Sequence, residues 1–102
     1  MSLISRCKLS DTVSLMNSDD YKERFLAEYA QTKIRYEKLK ILCDQIEASY
    51  ITGGKTPEPA HNCPLDLLRQ QQRVMGDYLH TLELRAVIED VDCGLQFVFK
   101  AP

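Results

Sequence analysis

Tryptophan is absent from this chain of 102 residues and phenylalanine occurs only three times, so large aromatic anchors are few. Glycine and proline are also scarce, at four each. Between Tyr21 and Tyr50 neither occurs, and nothing there would break a helix roughly 45 Å long. An excess of one charge sign is missing too. The formal net charge is −2, which argues against a generic nucleic-acid binder but leaves room for a small anion at a local basic cluster. No run approaches the ~18 apolar residues of a membrane span. Met1 to Leu9 contains Arg6 and Lys8 rather than a secretory apolar region. The four cysteines, Cys7, Cys43, Cys63 and Cys93, form no Cys-x-x-Cys pair, and free thiols in a reducing compartment are the expectation.

What is present is ordinary for a folded domain: 27% charged and 44% hydrophobic residues. One domain is expected. Residues 1–17 read as an arm. Within it Ser10 or Asp11 caps a short helix whose Val13, Leu15 and Met16 supply an apolar patch for docking. Ser18, Asp19 and Asp20 then open a long helix over 18–51. Its apolar series is Tyr21, Phe25, Tyr29, Tyr36, Leu39, Cys43, Ile46 and Tyr50, with Thr32 in the gap, close to the 3.5-residue period of a coiled-coil seam. Leu26, Ala30, Ile34 and Ile41 make a second line beside it.

Residues 52–62 are a turn: Gly53 and Gly54 stop the helix, while Pro57 and Pro59 hold the chain extended. Gly-Gly-Lys-Thr there lacks the full phosphate-loop spacing. Another long helix is predicted over 63–92, with Pro64 at its first helical position and Asn62 or Cys63 as cap. Leu68, Gln72, Met75, Leu79, Leu82 and Ala86 face the first seam. Leu67, Val74, Tyr78 and Ile88 form a second line. Gly76, costing about 1 kcal/mol in a helix, implies a close approach or a bend. Residues 93–102, with Phe97-Val98-Phe99, read as an extended tail. The expected fold is all-α: a short N-terminal helix, then a long antiparallel two-helix hairpin, coiled-coil-like and oligomeric. Two apolar lines per helix are the argument for the oligomer, as is the thin core of a chain this size.

Three groups of residues bear on chemistry. Tyr29, Lys33, Arg35, Tyr36, Lys38 and Lys40 bring cations and stacking rings together, and Lys33, Tyr36 and Lys40 share a face. The plainer expectation is a solvated surface paired with Glu28, Glu37, Asp44 and Glu47. Arg69 and Arg73, one turn apart, suit a phosphate or carboxylate, or salt bridges to Asp44 and Glu47. Arg85 is expected to reach a carboxylate such as Glu28. His61 and Cys63 are too few for a metal site, and no cofactor is implied. No nucleophile has a visible base partner, so a non-enzyme is expected.

Ser18-Asp19-Asp20-Tyr21-Lys22-Glu23-Arg24-Phe25, Glu28-Tyr29 and Lys33-Ile34-Arg35-Tyr36-Glu37-Lys38-Leu39 resemble a family of small helical-hairpin proteins of phages and prophages, related to a crAss-like phage. Cys63-Pro64-Leu65-Asp66-Leu67-Leu68, Met75-Gly76-Asp77-Tyr78-Leu79, Leu82-Glu83-Leu84-Arg85-Ala86 and Ile88-Glu89 extend the resemblance over residues 10 to 91. The turn at 56–62 and the tail depart from it. The architecture is also loosely similar to the phage sponges that counter CBASS and Thoeris immunity, which hold nucleotide signals between subunits. That similarity implies a phage counter-defence protein in the bacterial cytoplasm, a homo-oligomer from dimer to hexamer. It would sequester a cyclic oligonucleotide or ADP-ribose derivative uncleaved, through Tyr29, Lys33, Tyr36, Arg69, Arg73 and Arg85. The alternative is a protein-interaction module that uses an exposed apolar helix face.

Overall fold

The computed structural model of the protein describes residues 8–55 and 62–93. The segments 1–7, 56–61 and 94–102 lie outside the described residues, and with them the expectations for the proline turn, His61 and the Phe97–Phe99 tail. All regular elements among the described residues are helical: a 3₁₀ turn Leu9–Thr12 running into α1, Val13–Met16; α2, Tyr21–Thr52; and α3, Leu65–Glu89. At 32 residues, α2 is about 48 Å long.

The ends of the helices follow from local chemistry. Asp20 is the N-cap of α2, its carboxylate accepting from the Lys22 backbone N–H at 3.0 Å. Ser18 braces it, accepting from the Asp20 N–H at 3.0 Å and donating to Glu23. Gly53 stops the helix in the left-handed region at φ 70°. Pro64 caps α3 from outside rather than occupying its first helical position. The ring holds φ at −63°, which serves either role, but ψ is 146° and only its carbonyl joins the helix, accepting from Leu68 N–H at 3.2 Å. The far end arrives earlier than the expected Asp92. Asp90 turns left-handed at φ 58°, and the Val91 N–H reaches back to the Ala86 carbonyl at 2.8 Å. Aspartate tolerates that conformation better than most residues.

The two long helices run in opposite directions. Tyr21 meets Glu89, Tyr29 meets Glu83, Tyr36 lies against Gly76, and Asp44 meets Arg69. Two apolar clusters lie between them. One gathers Phe25, Tyr29, Ala30, Leu79, Leu82, Ala86 and Cys93. The other holds Cys43, Ile46 and Leu68, nearer the turn. The predicted seam positions supply nearly all of these residues, while Tyr21 and Tyr50 at its ends stay exposed.

The second lines have different fates. On α2, Ala30 and Ile34 are buried and Leu26 is half-buried, with Ala27 buried beside them, where the 3₁₀ turn and α1 pack against the helix, while Ile41 further along stays 56% exposed. Of the expected apolar patch Leu15 is half-buried, while Val13 and Met16 remain about half exposed, Met16 touching the helix through its sulfur, which accepts from Gln31 Nε2 at 2.8 Å. The arm's anchor is Thr12, 0% exposed. The Thr12 hydroxyl donates to the Leu9 carbonyl at 2.7 Å and accepts from Gln31 Nε2 at 2.9 Å. A buried hydroxyl with both functions satisfied costs little. On α3, Leu67, Val74, Tyr78 and Ile88 are 53%, 60%, 41% and 82% exposed.

Candidate functional site

Along one side of the helix pair, Lys33, Tyr36 and Lys40 project from α2 at steps of three and four. Gly76 of α3 lies opposite the middle one. A Cβ placed on Gly76 would stand 3.4 Å from Tyr36 Cε1 and 3.7 Å from its hydroxyl. The ring thus lies close over the α3 backbone at Gly76, with space that would also take a methyl group at ordinary van der Waals distance. The ring is half-buried and packs against the first cluster.

Charges border this ring. Lys33 Nζ pairs with Glu37 at 3.1 Å, and Lys40 Nζ with Asp44 at 2.8 Å. Arg69 crosses from α3 to Asp44 at 3.1 Å and to Glu47, and also donates to Gln72 Oε1 at 2.7 Å. These contacts have electrostatic consequences. The Asp44 carboxyl is held below its ordinary range, first by the bond from Lys40 and then by that from Arg69. Lys40 is raised in turn by Asp44, and Arg69 by its bond to Glu47. Arg73, one turn beyond Arg69, is exposed and makes no ion pair among the described residues.

Of the six residues singled out from the sequence, Lys33, Tyr36, Arg69 and Arg73 thus lie along one side. Tyr29 belongs to the same helix face but points inward. Its ring is 1% exposed, and its hydroxyl donates to Glu83 at 2.8 Å. Burial, then that bond, pushes the hydroxyl far above the ordinary tyrosine range.

Arg85 does not join the group. It lies near the α2 N-terminus, its guanidinium 4.9 Å from the Phe25 ring centroid. It donates to Glu89 at 3.0 Å and to the Tyr21 hydroxyl. Glu89, rather than the expected Glu28, is its partner, because the i,i+4 step on its own helix is the shorter reach. Tyr21 and then Arg85 hold the Glu89 carboxyl below its usual range. Gln72 was read only as a seam residue. Its polarity within an otherwise apolar series was the available sign that it serves Arg69. No group of three or more His, Cys, Asp or Glu among the described residues is arranged to hold a metal.

Exposed ion pairs of this kind contribute about 0–1 kcal/mol each. Their cations can therefore turn to a better acceptor at small cost, and a phosphate offers several. The Tyr36 ring adds a flat, amphipathic surface beside them.

These features define a small all-α protein with two long antiparallel helices and a cationic, tyrosine-bearing side. The family model described as Sequestin matches residues 19–88, which spans α2 and nearly all of α3, and the chain belongs to the Sequestin family. No curated protein and no solved structure matches it.

Proposed function

We propose that this protein binds and sequesters a nucleotide immune signal, a cyclic oligonucleotide or an ADP-ribose derivative, and releases it uncleaved. The observation that carries the reading is Tyr36 laid on Gly76, with Lys33 and Lys40 one turn to either side on its own helix and Arg69 joined to the Lys40 partner Asp44 across the pair. That grouping offers an aromatic face for a base and cations for phosphates. The family's name, Sequestin, supports holding rather than turnover. In this reading the protein is phage-encoded, acts in the host cytoplasm, and works as a homo-oligomer of antiparallel hairpins whose neighbouring copies close over the ligand. Tyr29 acts by fixing the helix pair from within, and Arg85 by tying its open end.

Isothermal calorimetry against a panel of cyclic oligonucleotides and ADP-ribose derivatives tests it. At least one member should bind, be recovered intact by chromatography after heat release, and bind at least tenfold more weakly to Tyr36→Ala. A panel that gives neither heat nor thermal shift would overturn the reading.

One observation favours a second reading. The uncovered line on α3 suits a protein-interaction module that blocks or bridges a host or phage protein. It predicts a specific pull-down partner and silence throughout the nucleotide panel.

A further inference from the structure

The arm of this chain covers the outer apolar line of α2 at Ala30 and Ile34 but not at Ile41, and no described element covers the line of α3. Leu67, Val74 and Tyr78 follow at steps of seven and four, so they share one stripe, with 53%, 60% and 41% of their surfaces exposed. Ile88 extends it at 82%. The charges beside the stripe show what fits it. Arg73 and Asp77 sit one turn apart on the same flank, both exposed, and neither makes an ion pair among the described residues.

We infer that this stripe docks on the same stripe of a second copy, α3 against α3, with the helices antiparallel about a two-fold axis. Such an axis reverses the direction of the helix but keeps each flank beside its twin. Val74 then lies against the partner's Tyr78, and the partner's Val74 against Tyr78. In that register Arg73 lies within reach of the partner's Asp77, and the pairing repeats across the axis. The flank is therefore complementary to itself: a cation and an anion one turn apart meet as two opposite pairs. In that register residues 67 to 85 of the two copies overlap, about 27 Å of helix. A stripe of that length and ~12 Å width gives roughly 650 Å² buried over both copies, below the ~1,200 Å² of stable specific interfaces and in the class of weak, transient ones.

The inference rests on the reading of the chain as a self-associating sequestering protein, and it adds a detail to the site. Arginine carries five N–H donors. With one edge held by the partner's Asp77, the other edge of Arg73 stays available beside Arg69, and docking orients a side chain that no described carboxylate holds.

Sedimentation velocity of the full chain from about 5 to 200 μM is the test, with far-UV circular dichroism to confirm helicity. The wild type should move from one-chain to two-chain mass across that range. Val74→Glu should weaken the dimer by roughly 30-fold or more with helicity unchanged. Arg73→Asp and Asp77→Arg should each weaken it, and the double swap R73D/D77R should restore it to within about threefold. A wild type that stays monomeric would overturn the inference, leaving the stripe to another protein or to the chain's own residues 94–102. So would a larger assembly indifferent to Val74→Glu, or a double swap no better than the single changes. Calorimetry on the same samples scores nucleotide binding separately. A dimer that obeys the charge swap but binds no nucleotide leaves this interface standing and removes only the proposed ligand.

Discussion

Each long helix carries two apolar lines, and the outer ones end differently. On α2, Ala30 and Ile34 are buried and Leu26 half-buried in the half that the arm and the first cluster cover, and only Ile41 beyond them is exposed. On α3, Leu67, Val74, Tyr78 and Ile88 face outward. The residues are chemically alike, so apolar periodicity alone does not tell a covered face from an open one. The difference comes from the docking of a short N-terminal element through one polar residue, Thr12, on Gln31.

The sharpest way to break the comparison is to place one charge on each line. Ala30→Glu puts a carboxylate where the side chain is 1% exposed. It should cost on the order of 3 kcal/mol or more in urea unfolding, since nothing there pairs with it. Val74→Glu on the open line, measured where the chain is monomeric, should stay within about 0.5 kcal/mol. Equal losses from the two would mean that the lines do not differ.

A smaller effect isolates the anchor. Thr12→Val removes the hydroxyl that both donates to Leu9 and accepts from Gln31. A loss of about 1–2 kcal/mol is expected. Hydrogen exchange should quicken for Leu15 and Met16 but not for amides flanking Leu82 in the core, 0% exposed. Uniform acceleration would show that the arm and the helix pair unfold as one.

The smallest effect is electrostatic. The Asp44 and Glu89 carboxyls are lowered by their partners. The unfolded chain therefore binds more protons in the acid range, and stability is lost as pH falls from about 5 through the lowered values. Both groups are exposed and screened, so the drop should be shallow. Asp44→Asn should flatten part of it in thermal melts taken between pH 5 and 3, and an unchanged acid limb would show that the Asp44 contacts carry no stability.

Much of this fold was legible from period and punctuation. The seam on α2 alternated threes and fours without glycine or proline, so Phe25, Tyr29, Cys43 and Ile46 read as buried before any coordinates, and Leu68, Leu79, Leu82 and Ala86 did likewise. Gly76 implied a close approach, and the Tyr36 ring fills it. Three features were not legible. Thr12 gave no apolar signal, because its burial rests on two hydrogen bonds with partners on different elements. Asp90 ended α3 early by entering a conformation for which aspartate is only one of several tolerant residues. Arg85 chose a carboxylate on its own helix, a choice that depends on side-chain reach rather than on pattern. In the candidate site, spacing put Lys33, Tyr36 and Lys40 on one face and opposed Arg69 to Asp44 and Glu47. It did not separate Arg73, which no carboxylate among the described residues holds, from Arg69, which two hold.

Cys93 closes the first cluster at the end of α3. It is 2% exposed, and burial ahead of the nearby Asp92 and Glu83 charges pushes its thiol up to about 11. At neutral pH only about one such thiol in ten thousand is ionised, and reagent cannot reach it without an opening. The residue therefore serves as a built-in stopwatch. Its alkylation rate, set beside that of the less buried Cys63, reads how often the last turn of α3 parts from Tyr29. A ligand or second copy that quiets that fraying would register as a slower clock, with no substitution made in the chain.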